Sequence, residues 1–222
     1  MKARNFLTVA ALVIGGSVAF TSCVQKNYYD INPNNNQYNN NNGNYSYSFD
    51  EEFNGSDNYG WSFTDATDSA YASISNGSYQ YVDYSAVKSN MSVVGTGANT
   101  AGNFTVLTRL QSNNTMGLIF GASSSDNGYA FYIDSTGSYS LYKEGTSTVA
   151  STSIIAATYD SLAVKKGWNT MEIAQAGTNW TGYINGVQVF QIPARALAGS
   201  EFGFKVLPAT VGYADYLQVQ SN

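Results

Sequence analysis

Carboxylates are the residues of this chain best placed, by type and spacing, to do chemistry. Asp50, Glu51 and Glu52 stand in a row. On an extended strand Asp50 and Glu52 share one face and Glu51 takes the other. Two carboxyls on one face can hydrolyse a glycosidic bond when they stand about 5–5.5 Å apart for retention, or about 6.5–9.5 Å for inversion. Glu144 and Glu172 stand alone. Composition removes most other chemistries. The 222 residues contain no His, which excludes Ser-His-Asp and Cys-His nucleophiles, histidine-ligated zinc and imidazole pH switches. The single Cys, Cys23, has no partner for an internal disulfide.

Charge is scarce at 11%, whereas aromatics reach 14%, with 18 Tyr against 11 Phe and 3 Trp. Such a chain recognises ligands through rings and amides rather than charges. The formal net charge is −5, and it falls to −7 once Lys2 and Arg4 leave with the first segment. Nucleic acid is therefore not an expected partner.

Residues 1–22 have a basic start, an apolar run from Phe6 to Phe20 and small residues before Cys23. The run is too short and too interrupted by Gly and Ser for a stable span, and it fits a secretory signal. Residues 23–46 are Asn-rich with interspersed Tyr. That composition cannot offset its ordering entropy and predicts a flexible tether. Residues 47–222 form the expected folded domain.

Within that domain, Asn103 to Glu144 is the segment around which the rest is organised. Phe104, Val106 and Thr108 alternate with Thr105, Leu107 and Arg109. Leu118 and Phe120 alternate with Gly117, Ile119 and Gly121, and Tyr129, Phe131 and Ile133 with Ala130, Tyr132 and Asp134. A period of two means one buried face and one offered face. The links are clusters of Ser, Asn, Asp and Gly, which suit tight turns, so the segment predicts a four-stranded antiparallel meander. Further strands are predicted at Ala70–Ile74, Ser78–Tyr84, Met91–Val94, Leu162–Val164, Asn169–Gln175, Thr181–Ile184, Val187–Ile192, Ser200–Val206 and Tyr213–Gln220. Asn185-Gly186 is the strongest hairpin signal. No long amphipathic helix is predicted. The fold class is all-β, with a second sheet needed to cover the meander's apolar face, in the pattern of a sandwich or jelly roll.

Two resemblances sharpen this reading. FTSC (Phe20–Cys23) resembles the lipobox of bacterial lipoproteins. It implies cleavage before Cys23, lipidation of Cys23 and export, with Val24 pointing to the outer membrane and surface exposure as the further expectation. The order FDEEFN, FTVLTR (Phe104–Arg109), GLIFGA (Gly117–Ala122), YAFYID (Tyr129–Asp134), YSLYK (Tyr139–Lys143), GWNTMEI (Gly167–Ile173), YINGVQV (Tyr183–Val189) and ADYLQV (Ala214–Val219) resembles the concanavalin A-like lectin/glucanase superfamily, in its laminin-G-like and sugar-hydrolase-related branches. The resemblance implies a two-sheet antiparallel jelly-roll sandwich. Its glucanases carry an E-x-D-x-x-E strand that this chain lacks, so the expectation is a non-catalytic domain.

Its offered sheet face is a place where glycans sit, which makes Arg109, Tyr132 and Tyr142 the candidate glycan-binding residues, with Trp180 added from the loop beside it. Tyr rings meet the C–H face of a sugar and Arg supplies a fork of donors. Trp61 and Trp168 resemble the family's core-packing aromatics. Members often hold calcium near the chain ends, where Asp50, Glu51 and Asp215 are the candidate ligands for a structural ion, with Asp126-Asn127 as a second place. No other cofactor is expected. The expected function is that of a surface lipoprotein binding an extracellular glycan. The alternatives are a structural or adhesion lipoprotein contacting another envelope protein and, third, a glycoside hydrolase.

Overall fold

The structure is a computed structural model that describes residues 47–66, 69–86, 89–124, 127–146 and 148–221. The expected signal, Cys23, the tether and Asp126 lie outside the described residues. The described residues form fifteen strands, in chain order β1 (Tyr47–Glu51), β2 (Phe63–Asp65), β3 (Ala70–Ser75), β4 (Ser78–Asp83), β5 (Asn90–Gly95), β6 (Phe104–Ser112), β7 (Thr115–Ala122), β8 (Tyr129–Asp134), β9 (Ser138–Lys143), β10 (Thr152–Tyr159), β11 (Asn169–Ala176), β12 (Asn179–Ile184), β13 (Val187–Pro193), β14 (Glu201–Val206) and β15 (Thr210–Ser221). No helix occurs among the described residues.

The strands form two antiparallel sheets. One has nine strands in the order β13-β12-β11-β6-β15-β4-β3-β2, with β1 also paired to β15. The other has six in the order β10-β9-β8-β7-β14-β5. The expected four-stranded meander is thus three strands, β7 to β9, and β6 belongs to the opposite sheet between β11 and β15. The switch is made at Asn113, whose backbone N–H donates to Val211 O while its Oδ1 accepts from Val211 N. Two residues later Thr115 O accepts from Leu207 N and the chain enters the six-stranded sheet.

Between the sheets lies a core in which aromatic rings dominate. Phe53, Trp61, Tyr79 and Phe204 meet at centroid separations of 5.3 to 6.0 Å. Phe120 and Tyr129 close on Trp180 at 5.1 and 4.7 Å, and Phe131 meets Phe190 at 5.1 Å. Each such ring removes a large apolar area from water and gains further from edge-to-face geometry. The Asn185-Gly186 turn is the hairpin expected, with φ of 50° and 78° at its two central residues, both in the left-handed region that this turn requires. Leu162–Val164, expected as a strand, is instead a turn. Asp160 Oδ1 accepts the N–H groups of Leu162 and Ala163, and its carbonyl accepts that of Val164. Such local hydrogen bonding by Asp competes with a sheet ladder and here prevails.

Candidate functional site

Four residues expected to share a glycan site are dispersed by the fold. Arg109 lies on the outer face of the nine-stranded sheet, whereas Tyr132 and Tyr142 lie on the outer face of the six-stranded one. Trp180 lies in neither place. It is fully buried between the sheets, and its Nε1 donates to Gln175 Oε1 at 2.7 Å. Its alternation with Gly182 and Ile184 puts it on the core face, so it cannot touch a ligand. Tyr132 is also unavailable, being 5% exposed. Its ring crosses Gly117, where a Cβ would stand 2.6 Å from Tyr132 Cδ1. Its hydroxyl donates to Glu144 Oε1 at 2.8 Å. Burial pushes this phenol well above its ordinary pKa, and the Glu144 carboxylate adds to the shift. Glu144 in turn accepts from Lys205 Nζ and Ser151 Oγ, which makes this cluster a brace that ties β8 and β14 to Ser151. Tyr142 packs edge-on against Tyr132 and stays half-buried.

Of the expected calcium ligands, Glu51 is turned away from the other two for an equally simple reason. Asp50 and Glu51 are neighbours on β1 and point to opposite faces. Glu51 is buried and accepts from Phe53 N at 2.8 Å. Asp215 is taken by Arg109, whose Nη1 donates to its Oδ2 at 2.9 Å. No group of three His, Cys, Asp or Glu suited to a metal is present among the described residues. Asn127, in the second expected place, instead accepts from Ser123 N and donates to the hydroxyls of Ser123 and Ser124.

Arg109 and a set of aromatic and acidic side chains lie on the outer face of the nine-stranded sheet, with Gln218 buried among them. Register sets them in two rows. Tyr183, Glu172, Leu107, Gln218 and Asp50 oppose one another across five strands, and Thr170, Arg109 and Tyr216 form the next row. Rows two residues apart on a strand lie about 7 Å apart, and adjacent strands about 4.8 Å. A bulge between Ala214 and Tyr216 brings Asp215 to Arg109, because the extra residue breaks the alternation of β15. Thr108, on the core side, donates its hydroxyl to Tyr216 O at 2.6 Å and holds the bulge.

Trp168, expected in the core, lies at the surface with the Arg109 guanidinium 5.0 Å from its ring centroid, a cation–π contact. Asn169 fixes the loop before it, bonding Lys165 N, Lys165 O and Gly167 O. The face continues with Tyr213, which accepts from Gln80 Nε2, and with Tyr71 against Tyr84. Burial pushes the Tyr216 phenol up to about 12. Tyr71, Tyr84, Tyr183, Tyr213 and Tyr216 thus all belong to the face that carries Arg109.

Carboxylates stand beside them. Gln218 Nε2 donates to both Asp50 Oδ1 at 3.1 Å and Glu52 Oε1 at 3.2 Å, so these carboxylates lie within two hydrogen bonds of each other. Gln218 is 1% exposed and its Oε1 has no partner. Burial raises the pKa of Glu52, and Asp50 and Asp215 push it the same way. A carboxyl raised on folding binds its proton more tightly when folded. Its contribution therefore favours the fold at low pH and is lost as pH rises from the unfolded value, about 4.3, through the folded one. Glu52→Gln removes this titration. Its denaturant midpoint, relative to wild type, is expected to rise between pH 4 and pH 7; a constant difference would remove Glu52 from the pH dependence.

A shallow groove of about 450 Å³ runs along the rim between Thr100, Gln175, Thr178, Ala194 and Arg195.

This architecture is an all-β, two-sheet antiparallel jelly-roll sandwich, the fold class that the sequence resemblance implied. No protein-family model and no curated protein matches the chain. Among solved structures it is similar to the CBM2 module of the evolved Dit of Lactobacillus casei BL23 phage J-1. That likeness has a TM-score of 0.54 at 11% identity, over 79% of this chain and 95% of that one. The endo-β-1,3-glucanase of Pyrococcus furiosus follows at 0.47 and 10% identity, over 80% and 94%. A carbohydrate-binding module from Bacillus subtilis gives 0.44 at 16% identity, over 70% and 89%. At these identities the likeness is one of fold.

Proposed function

We propose that the chain is a non-catalytic surface lipoprotein, anchored to the outer membrane through Cys23, whose sandwich binds an extracellular glycan on the outer face of its nine-stranded sheet. The observation that carries this reading is that Arg109, Trp168, Tyr183 and Tyr216 share one part of that face, with Tyr213, Tyr71 and Tyr84 further across it. Rings accept the C–H face of a sugar, and a guanidinium fork, amides and carboxylates take its hydroxyls. The phage module of the same fold is a CBM by name, which supports the reading. The test is binding of the full chain to a broad glycan panel beside Arg109→Ala. Binding that Arg109→Ala abolishes is expected. A folded chain that ignores every glycan would overturn the proposal and leave a protein partner.

One observation favours a second reading, a glycoside hydrolase. Asp50 and Glu52 share the Gln218 amide, and Glu52 is held toward its protonated form, as a general acid must be. Release of reducing ends from β-glucan oligosaccharides, lost in Glu52→Gln, would establish it. No release from any oligosaccharide that binds would exclude it for those ligands.

A further inference from the structure

The outer face of the nine-stranded sheet is short of positive charge and of donors. Arg109 is the one Lys or Arg in the strands of that sheet. Against it stand Asp50 of β1, Glu52 directly after β1, Glu172 of β11 and Asp215 of β15. Asp215 already neutralises Arg109 at 2.9 Å. Lys165 and Lys166, in the loop before Trp168, line a pocket with Asp134 of the other sheet, and Lys165 donates to Ser161 O.

Asp50 and Glu52 have no ion pair among the described residues and share one donor, Gln218 Nε2, at 3.1 and 3.2 Å. The Gln218 amide between them is 1% exposed, and its Oε1 is a buried acceptor with no partner. Burial raises the pKa of Glu52, and Asp50 and then Asp215 raise it further, so the three acids lie within one another's field. Tyr216, pushed up mainly by burial, also lies in the fields of Asp215, Arg109 and Glu52. The acidic group therefore borders the Arg109–Trp168 group on one surface.

We propose, building on the glycan reading, that the sugar held on this face is an amino sugar whose free ammonium sits against Asp50 and Glu52. A primary ammonium carries three N–H donors and no acceptor, which is what this patch lacks. Two donors go to the carboxylates, and the third is left for the amide oxygen of Gln218. Hydrogen bonds between charged partners are about twice as strong as neutral ones. Arg109, neutralised by Asp215, does not repel the ammonium, and its remaining donors stay free for sugar hydroxyls. Uronic or sulfated sugars meet four carboxylates and are rejected.

Calorimetric titration of the full chain at about pH 6, where amines are protonated, tests this. The probes are oligosaccharides of glucosamine, N-acetylglucosamine, glucose and a uronic acid, matched in length and linkage. The glucosamine oligomer is expected to bind at least about tenfold more tightly than the others, an advantage that shrinks as salt rises. Asp50→Asn/Glu52→Gln, shown to be folded by circular dichroism, is expected to lose that preference. A wild type that binds the acetylated, neutral or acidic oligomer best would overturn this inference and leave the glycan reading standing. A double variant that keeps the full preference would overturn it as well. A folded chain that binds no oligosaccharide of any kind would overturn both.

Discussion

Trp180→Ala is expected to lower the free energy of unfolding by about 3–5 kcal/mol, the range for removing a large ring from a packed core. The side chain is fully buried and stacks edge-on against Phe120 and Tyr129. It also carries the donor for Gln175 Oε1. The cavity and the unpaired acceptor act together, so Trp180→Phe, which loses the donor but keeps much of the volume, should cost less. Equilibrium unfolding in urea separates the two variants. If Trp180→Ala left stability within about 0.5 kcal/mol of wild type, as an exposed substitution would, the core assignment would be wrong.

Lys205→Met is expected to cost a similar amount, about 3–5 kcal/mol, because it leaves Glu144 buried without its cation. The two side chains are 13% and 3% exposed, so water screens the pair little. The hydroxyls of Tyr132 and Ser151 still reach Glu144 but bring no charge. Replacing both partners, as Glu144→Gln/Lys205→Met, removes the stranded charge and should recover much of the loss. Guanidinium midpoints of the single and double variants test this. A double variant as unstable as the single one would mean that the loss is one of packing.

These positions also show what the residues reveal in order and what they conceal. Alternation separated the two faces of each strand, and Trp180 is in phase with Gly182 and Ile184, as its burial requires. The face of β7 and β8 expected to be offered is nevertheless buried through Ile119, Ala130 and Tyr132. Alternation does not assign partners, however. Phe104 to Ser112 carries the same period whether it joins β7 or crosses to β11 and β15, and only the Asn113–Val211 bonds decide. Arg109 and Tyr132 were therefore expected side by side and lie on opposite sheets.

Asp215 reaches Arg109 through a bulge that no local pattern announces. Trp168 follows Gly167 much as Trp61 follows Gly60, yet Trp61 is in the core and Trp168 is at the surface. The loop held by Asn169 and Asn185 makes that difference, and Asn185 links the two by donating to Asn169 Oδ1 at 2.7 Å. The Asp50 and Glu52 pairing was legible, since two residues apart on a strand is enough to share a face. Its proximity to Gln218 depended on the pairing of β1 with β15.

The most direct measurement is calorimetric titration of the full chain with the glycan that binds best on the panel. Wild type is compared with Arg109→Ala, Arg109→Lys and Tyr142→Ala. Losing charge-assisted hydrogen bonds should weaken binding about tenfold or more in Arg109→Ala. Arg109→Lys, which keeps the charge and loses the fork, should fall between. Tyr142→Ala, on the opposite face, should bind like wild type. A ligand that Tyr142→Ala loses and Arg109→Ala keeps would place the site on the six-stranded sheet and contradict the account.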